Sequence, residues 1–197
     1  YSKPDGARSV ANCYGGCRDR LFSSQPGCFC NHRAVRQRGL WDASPIGDHV
    51  NGVRVAAIIP ARMASSRFPG KPLLELRGLP MVEHVRRRAL LCREFSEVVV
   101  ATCDSEIADI VRRYGGKVIM TSPSHAGATD RVAEAMKHLD CTHVVNVQGD
   151  EILVLPSDLS NMVRAIAAQP ERSAWNAIAK IDHPQELSDR SIVKCVV

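Results

Sequence analysis

From Val53 onward, short apolar runs alternate with stretches whose apolar residues recur every three or four positions. Val55-Ala-Ala-Ile-Ile59 has the length and β-branching of a strand buried on both faces. Met81, Val82, Val85, Ala89 and Cys92 follow at helical spacing, with Glu83 and Arg86–Arg88 expected to face elsewhere. Phe95 to Thr102, around Val98-Val-Val100, predicts a second strand. Asp104-Ser-Glu opens a helix with Ile107, Ile110, Val111 and Tyr114 on one face, and Gly115-Gly116 closes it. Lys117-Val-Ile-Met120 predicts a third strand, and Val132, Ala135, Met136 and Leu139 mark another helix. Thr142 to Val147 predicts a fourth strand. Leu159, Met162, Val163 and Ile166 form the stripe of a helix starting near Ser157. Ala174 to Ile181 and Ile192 to Val197 are further strand candidates.

Strands and helices alternating at this spacing imply βαβ units, hence an α/β fold with a mainly parallel sheet covered on both faces. Ligands of such sheets bind beyond the carboxyl ends of the strands, where strand order reverses. Residues 1–52 show no such pattern. They are rich in Gly, Ser, Arg and Pro, and are read as an irregular extension, disordered or an artefact of the gene model. Residues 53–197 then form the domain proper.

Composition changes this picture little. The 197 residues suffice for one domain with a sizeable core. Of the net charge of +5, residues 1–52 hold the larger share, with seven Lys and Arg against four Asp. No basic stripe with interleaved aromatics points to nucleic acid. No apolar run reaches the roughly 18 residues that span a bilayer, and no secretory signal pattern is present. A cytoplasmic protein is expected. Cys92, Cys103, Cys141 and Cys195 read as small core residues of a reducing compartment. Cys13, Cys17, Cys28 and Cys30, with His32, do not match a standard zinc spacing.

Chemistry concentrates in two places. The loop after the first strand carries Arg62, Ser65, Ser66, Arg67 and Lys71, with Gly70 to turn the backbone. Three cations and two hydroxyls past a strand's carboxyl end suit a polyanion such as a nucleoside triphosphate, although a solvated basic loop has the same composition. Asp150 follows the fourth strand through Gln148-Gly149. A carboxylate there suits Mg²⁺, which takes oxygens from carboxylates and substrate phosphates; an Asp capping the next turn is the structural alternative. Thr129-Asp130 fits a helix start, with Thr129 as N-cap.

Pro60-Ala-Arg-x-x-Ser-Ser-Arg-x-Pro-Gly-Lys-Pro72 resembles the opening motif of the 3-deoxy-manno-octulosonate (KDO) cytidylyltransferases, also called CMP-KDO synthetases. Val145-Asn-Val-Gln-Gly-Asp-Glu151 resembles their metal-binding motif. His125-Ala-Gly-Ala-Thr-Asp-Arg131 is similar to their segment beside cytosine and ribose, with Gly127 and Ala128 replacing the usual Ser and Gly. The resemblance implies a Rossmann-like three-layer nucleotidyltransferase fold, incomplete at the C-terminus, that transfers CMP from CTP to an acidic keto sugar and releases pyrophosphate, for lipopolysaccharide biosynthesis. It implies nucleotide binding by Pro60, Ala61, Arg62, Ser65, Lys71, His125, Thr129, Arg131 and Gln148. Arg62, Lys71 and Asp150 would be catalytic, with Asp150 the Mg²⁺ ligand. Departures are Ile152, where proline is usual, and the absence of the family's sugar-binding region, second metal-binding aspartate and most dimer contacts. A truncated member of a homodimeric family is therefore expected. A cytidylyltransferase for a sialic or 8-amino sugar, or an inactive CTP-binding fragment, is the alternative.

Overall fold

The computed structural model describes residues 9–13, 52–64, 68–190 and 192–195. Its centre is a six-stranded sheet built from β1 (Ser9–Cys13), β2 (Val55–Pro60), β5 (Glu97–Thr102), β6 (Lys117–Met120), β7 (His143–Val147) and β8 (Ala174–Asn176). Strand order is β6-β5-β2-β7-β1-β8, and every pairing is parallel. A two-stranded antiparallel hairpin, β3 (Glu75–Leu76) and β4 (Leu79–Pro80), interrupts the path to the first helix. Arg77 and Gly78 turn that hairpin, both with positive φ, as a tight two-residue connection requires.

The helices are α1 (Met81–Leu90), α2 (Ser105–Arg113), α3 (Ala128–Met136), α4 (Pro156–Ala168) and the short α5 (Pro184–Ser188). Alternation along the central strands sends successive side chains to opposite faces. Val55, Ala57, Ile59, Val98, Val100, Val145 and Val147 pack with α1, α2 and α4 through Val82, Val85, Ile107, Val111, Leu159 and Ile166. Ala56, Ile58, Val99, Ala101 and Val144 pack on the other side with α3, through Val132, Ala135 and Met136. The three-layer α/β arrangement expected from the alternating pattern is thus present, with β2 buried at every position.

The chain runs from β2 through α1 to β5 and through α2 to β6, always outward in one direction. It then crosses through α3 to β7, on the opposite side of β2. Strand order therefore reverses between β2 and β7, and the loops leaving these two strands open onto the crevice where such sheets bind ligands.

Several expectations change. Ser9–Cys13 lies in the segment read as irregular, yet it forms a strand in register with β7 and β8. Its sequence has no alternation to betray it; backbone pairing to neighbours distant in sequence fixes it. The strand expected over Ala174 to Ile181 shrinks to three residues. Ile192–Cys195 is not a strand, and residues 196 and 197 lie outside the described residues. Tyr114 is exposed, under the Arg87 guanidinium, because α2 has ended before it. Cys92 and Cys141 are buried, but Cys103 is only half-buried and Cys195 is exposed.

Glu83 and Arg86 also depart from the pattern. Glu83, placed on the outer face by helical spacing, is 0% exposed, and Arg86 is buried beside it. Arg86 donates to both Glu83 oxygens at 2.6 and 2.7 Å, and to the carbonyl of Tyr114 at 3.0 Å. Arg87 adds a third bond at 2.8 Å. The pair ties α1 to the end of α2, and it fits because residue 116 is glycine. A Cβ there would lie 2.5 Å from Val111 Cγ1 and 2.9 Å from Arg86 Nε. Among the described residues, no helix is long and apolar enough to cross a membrane.

Candidate active site

The backbone after β2 is held at several points before it reaches its cation. Ala61 N–H donates to Ala101 O at 2.9 Å, extending the ladder one step past Pro60. Met63 N–H donates to Asp104 Oδ2 at 2.7 Å. Asp104 precedes α2 but spends its carboxylate on this loop rather than on its own helix. Gly70 N–H then returns to Met63 O at 3.0 Å, and Gly70 takes a left-handed φ of 75° to do so. A single 3₁₀ turn, Lys71–Leu73, follows with Pro72 buried beneath it. Lys71 is thereby presented on a folded turn. Ser65, Ser66 and Arg67 lie outside the described residues.

The tip of β7 approaches the same place. A Cβ on Gly149 would stand 2.8 Å from the carbonyl oxygen of Pro60 and 3.8 Å from Ala61 Cβ. Only glycine allows this strand end to lie so close to the end of β2. Glu151 N–H closes a turn on Gln148 O at 3.1 Å, and Asp150 sits at its crown. Lys71 Nζ and Asp150 Oδ2 meet at 2.6 Å, with side chains 37% and 47% exposed. The cationic turn and the acidic tip therefore converge on one point at the switch between β2 and β7.

Past the end of β2 is a small open cleft of ≈ 100 Å³ lined by Pro60, Ala61, Arg62, Gly127, Ala128 and Arg131. Arg62 Nη1 donates to Ala126 O at 3.3 Å across its mouth. Arg131 is buried at its floor and donates to Thr121 Oγ1 at 2.5 Å. The far wall is the first turn of α3. Its N-cap is Gly127, so Thr129, expected to cap, is instead the second helical residue and is exposed. Gly127 has no hydroxyl to give, but Asp130 Oδ2 accepts from Gly127 N–H at 3.3 Å, the reciprocal half of a capping box.

His125 does not line the cleft. Its Nε2 contacts Glu134 Oε2, which lies on α3 nine positions further along the chain. Glu134 also accepts from Ser122 N–H at 2.9 Å. These bonds, that from Ser122 first and that from His125 next, hold the Glu134 carboxyl below the usual range. Gln148 is half-buried, immediately before the glycine that meets Pro60 and Ala61, and donates from Nε2 to Asn146 Oδ1 at 3.4 Å. Among the sequence-predicted residues, then, Pro60, Ala61, Arg62 and Arg131 share the cleft, and Lys71 and Asp150 form a pair. Gln148 and Thr129 flank these groups, and His125 is turned onto Glu134. Asp104, Thr121, Glu134 and Asn146 were missed. Only Asn146 left a sequence signal, an amide amid valines.

Among the described residues no three His, Cys, Asp or Glu side chains gather to hold a metal. A lone accessible carboxylate beside a cation nonetheless fits a Mg²⁺ that arrives with substrate phosphates supplying the remaining oxygens. Cys17, Cys28, Cys30 and His32 lie outside the described residues.

A parallel three-layer α/β sheet with such a crevice is shared by many nucleotide-binding proteins; the family match and the superposition that follow identify this one as a nucleotidyltransferase fold. The chain belongs to the cytidylyltransferase family, whose model matches residues 56–197. It is 42% identical over 144 residues to 3-deoxy-manno-octulosonate cytidylyltransferase of Geobacter sulfurreducens, covering 73% of this chain and 58% of that protein. It is also 42% identical over 146 residues to the mitochondrial 3-deoxy-manno-octulosonate cytidylyltransferase of Arabidopsis thaliana, covering 73% and 50%. The solved structure of CMP:2-keto-3-deoxy-manno-octonic acid synthetase complexed with CTP superposes with a TM-score of 0.58 at 41% identity, covering 59% of this chain and 48% of that one. The chain thus spans about half the length of the curated relatives it matches.

Proposed function

We propose that this chain carries the nucleotide-binding half of a CTP:3-deoxy-manno-octulosonate cytidylyltransferase. The observation that carries the reading is the meeting of Lys71 and Asp150 at 2.6 Å on the crevice between β2 and β7. Here CTP would lie with its base over Ala61 and Gln148, in the cleft floored by Arg131. Arg62 and Lys71 would neutralise the triphosphate, whose charge grows on the leaving oxygens as the bond to the α-phosphorus breaks. Asp150, released from Lys71, would hold Mg²⁺, which supplies Lewis-acid neutralisation of that charge when bound. The anomeric hydroxyl of the keto sugar attacks the α-phosphorus in line and pyrophosphate departs. The protein's part is positional and electrostatic.

Titration calorimetry with CTP and Mg²⁺, followed by pyrophosphate release on adding KDO, tests this. Binding and release together support it. Release with a sialic or 8-amino sugar but not KDO moves the acceptor. Binding without release fits a nucleotide-binding piece. No binding of CTP to the folded protein refutes the proposal.

A further inference from the structure

Asn146 is the anomaly of the core. It is fully buried on β7, flanked by buried Val144, Val145 and Val147, and its Nδ2 has no hydrogen-bond partner among the described residues. A buried donor left unpaired is costly, and an apolar side chain in this strand would avoid the cost. The half of the amide that is used is its oxygen, which accepts from Gln148 Nε2. Period-2 alternation places Asn146 and Gln148 on the same face as Val144, which packs against α3, the helix whose first turn walls the cleft. Gln148 is followed by the glycine pressed against Pro60 O, so its backbone cannot swing away.

We propose that Asn146 is a specificity-setting positioning residue. By holding the Gln148 NH₂, it turns Gln148 Oε1 toward the cleft as a fixed hydrogen-bond acceptor. An acceptor there matches the exocyclic amino group of cytosine and opposes the 4-carbonyl of uracil. This rests on the nucleotide reading above and adds to it a cause for choosing one pyrimidine.

The test is calorimetric binding of CTP, UTP and the triphosphate of 2-pyrimidinone riboside, which lacks the 4-amino group, each with Mg²⁺. Wild-type protein should favour CTP over both others by about tenfold or more. Asn146→Val, a β-branched residue suited to a buried strand, should lose most of that preference while its UTP affinity changes little. Gln148→Leu should lose it equally, and adding Asn146→Val to Gln148→Leu should have no further effect. Asn146→Ser gives the same readout if the valine variant does not fold. Parallel loss of CTP and UTP affinity, or additive losses in the double variant, would make Asn146 merely structural. Equal wild-type affinity for CTP and the 2-pyrimidinone nucleotide overturns the inference without any variant. Absence of all nucleotide binding sinks the underlying reading instead, and this inference with it.

Discussion

Replacing Lys71 with methionine separates a ligand-binding lysine from a structural one, because the two roles predict opposite patterns. Without nucleotide, Lys71 and Asp150 satisfy each other at 2.6 Å, but both side chains are more than a third exposed. A pair so hydrated contributes at most about 1 kcal/mol to stability. Against a triphosphate the same cation would stand about 4 Å from phosphate charge, worth roughly 4 kcal/mol at an effective dielectric near 20. Subtracting the broken pair leaves about 2–3 kcal/mol, so Lys71→Met should weaken CTP binding roughly 30- to 150-fold. The thermal midpoint of the unliganded protein should fall by only a few degrees. Mg²⁺ alone should behave in the reverse way. In the wild type Asp150 is engaged, and removing its partner should tighten metal binding about fivefold, the equivalent of about 1 kcal/mol. Titration of Mg²⁺ and of CTP separately into both proteins reads both effects. Unchanged CTP affinity, or loss of several kcal/mol of stability, would show Lys71 to be a tether. Weaker rather than tighter Mg²⁺ binding would refute the competition for Asp150.

Other consequences follow from the surrounding structure. Glu83→Gln leaves the buried Arg86 without its counter-charge, and should cost about 3–5 kcal/mol in urea unfolding. The CTP affinity of the folded fraction should stay unchanged, since the pair lies at the α1–α2 contact. Gly149→Ala forces a methyl group to within 2.8 Å of Pro60 O. The β7 tip must move off β2, and CTP binding should weaken about tenfold, with a stability loss of about 1–3 kcal/mol. Glu134 has its pKa lowered by the bonds from Ser122 and His125. Its contribution is therefore complete above the unfolded carboxyl pKa and disappears as pH falls through the lower folded value. Glu134→Gln should be less stable near neutrality and flatten the acid limb of a stability-against-pH curve. An unaltered acid limb would contradict the assigned bonds.

The sheet was legible in the sequence because buried parallel strands announce themselves as apolar runs, and Val98-Val-Val100 or Val55-Ala-Ala-Ile-Ile59 admit few other readings. Lys71 and Asp150 were singled out differently, by the resemblance of their motifs to those of the KDO cytidylyltransferases. The apolar runs alone show only that each follows a strand of the sheet, Lys71 eleven positions past Pro60 and Asp150 three past Val147. Their supporting residues were not legible. Asp104 reads as a helix cap from its neighbours, yet its carboxylate goes to Met63, 41 positions away. Glu83 sits at a position helical spacing assigns to solvent, and becomes buried because Gly116 admits Arg86 beneath the end of α2. Ser9–Cys13 joins the sheet beside a strand more than a hundred residues on. In each case the deciding contact is long-range and polar, and periodicity reports only where apolar surface goes. Helical and strand periods therefore located the mouth of the crevice, while the hydrogen bonds that fix its shape appear only when β5, α2, α3 and β7 are packed around β2. Asn146 stands between the two classes: an amide where strand period demands an apolar side chain. Such a breach of pattern inside a well-predicted element marks a polar contact that the fold retains at a cost, and here that contact ends at Gln148, beside the cleft.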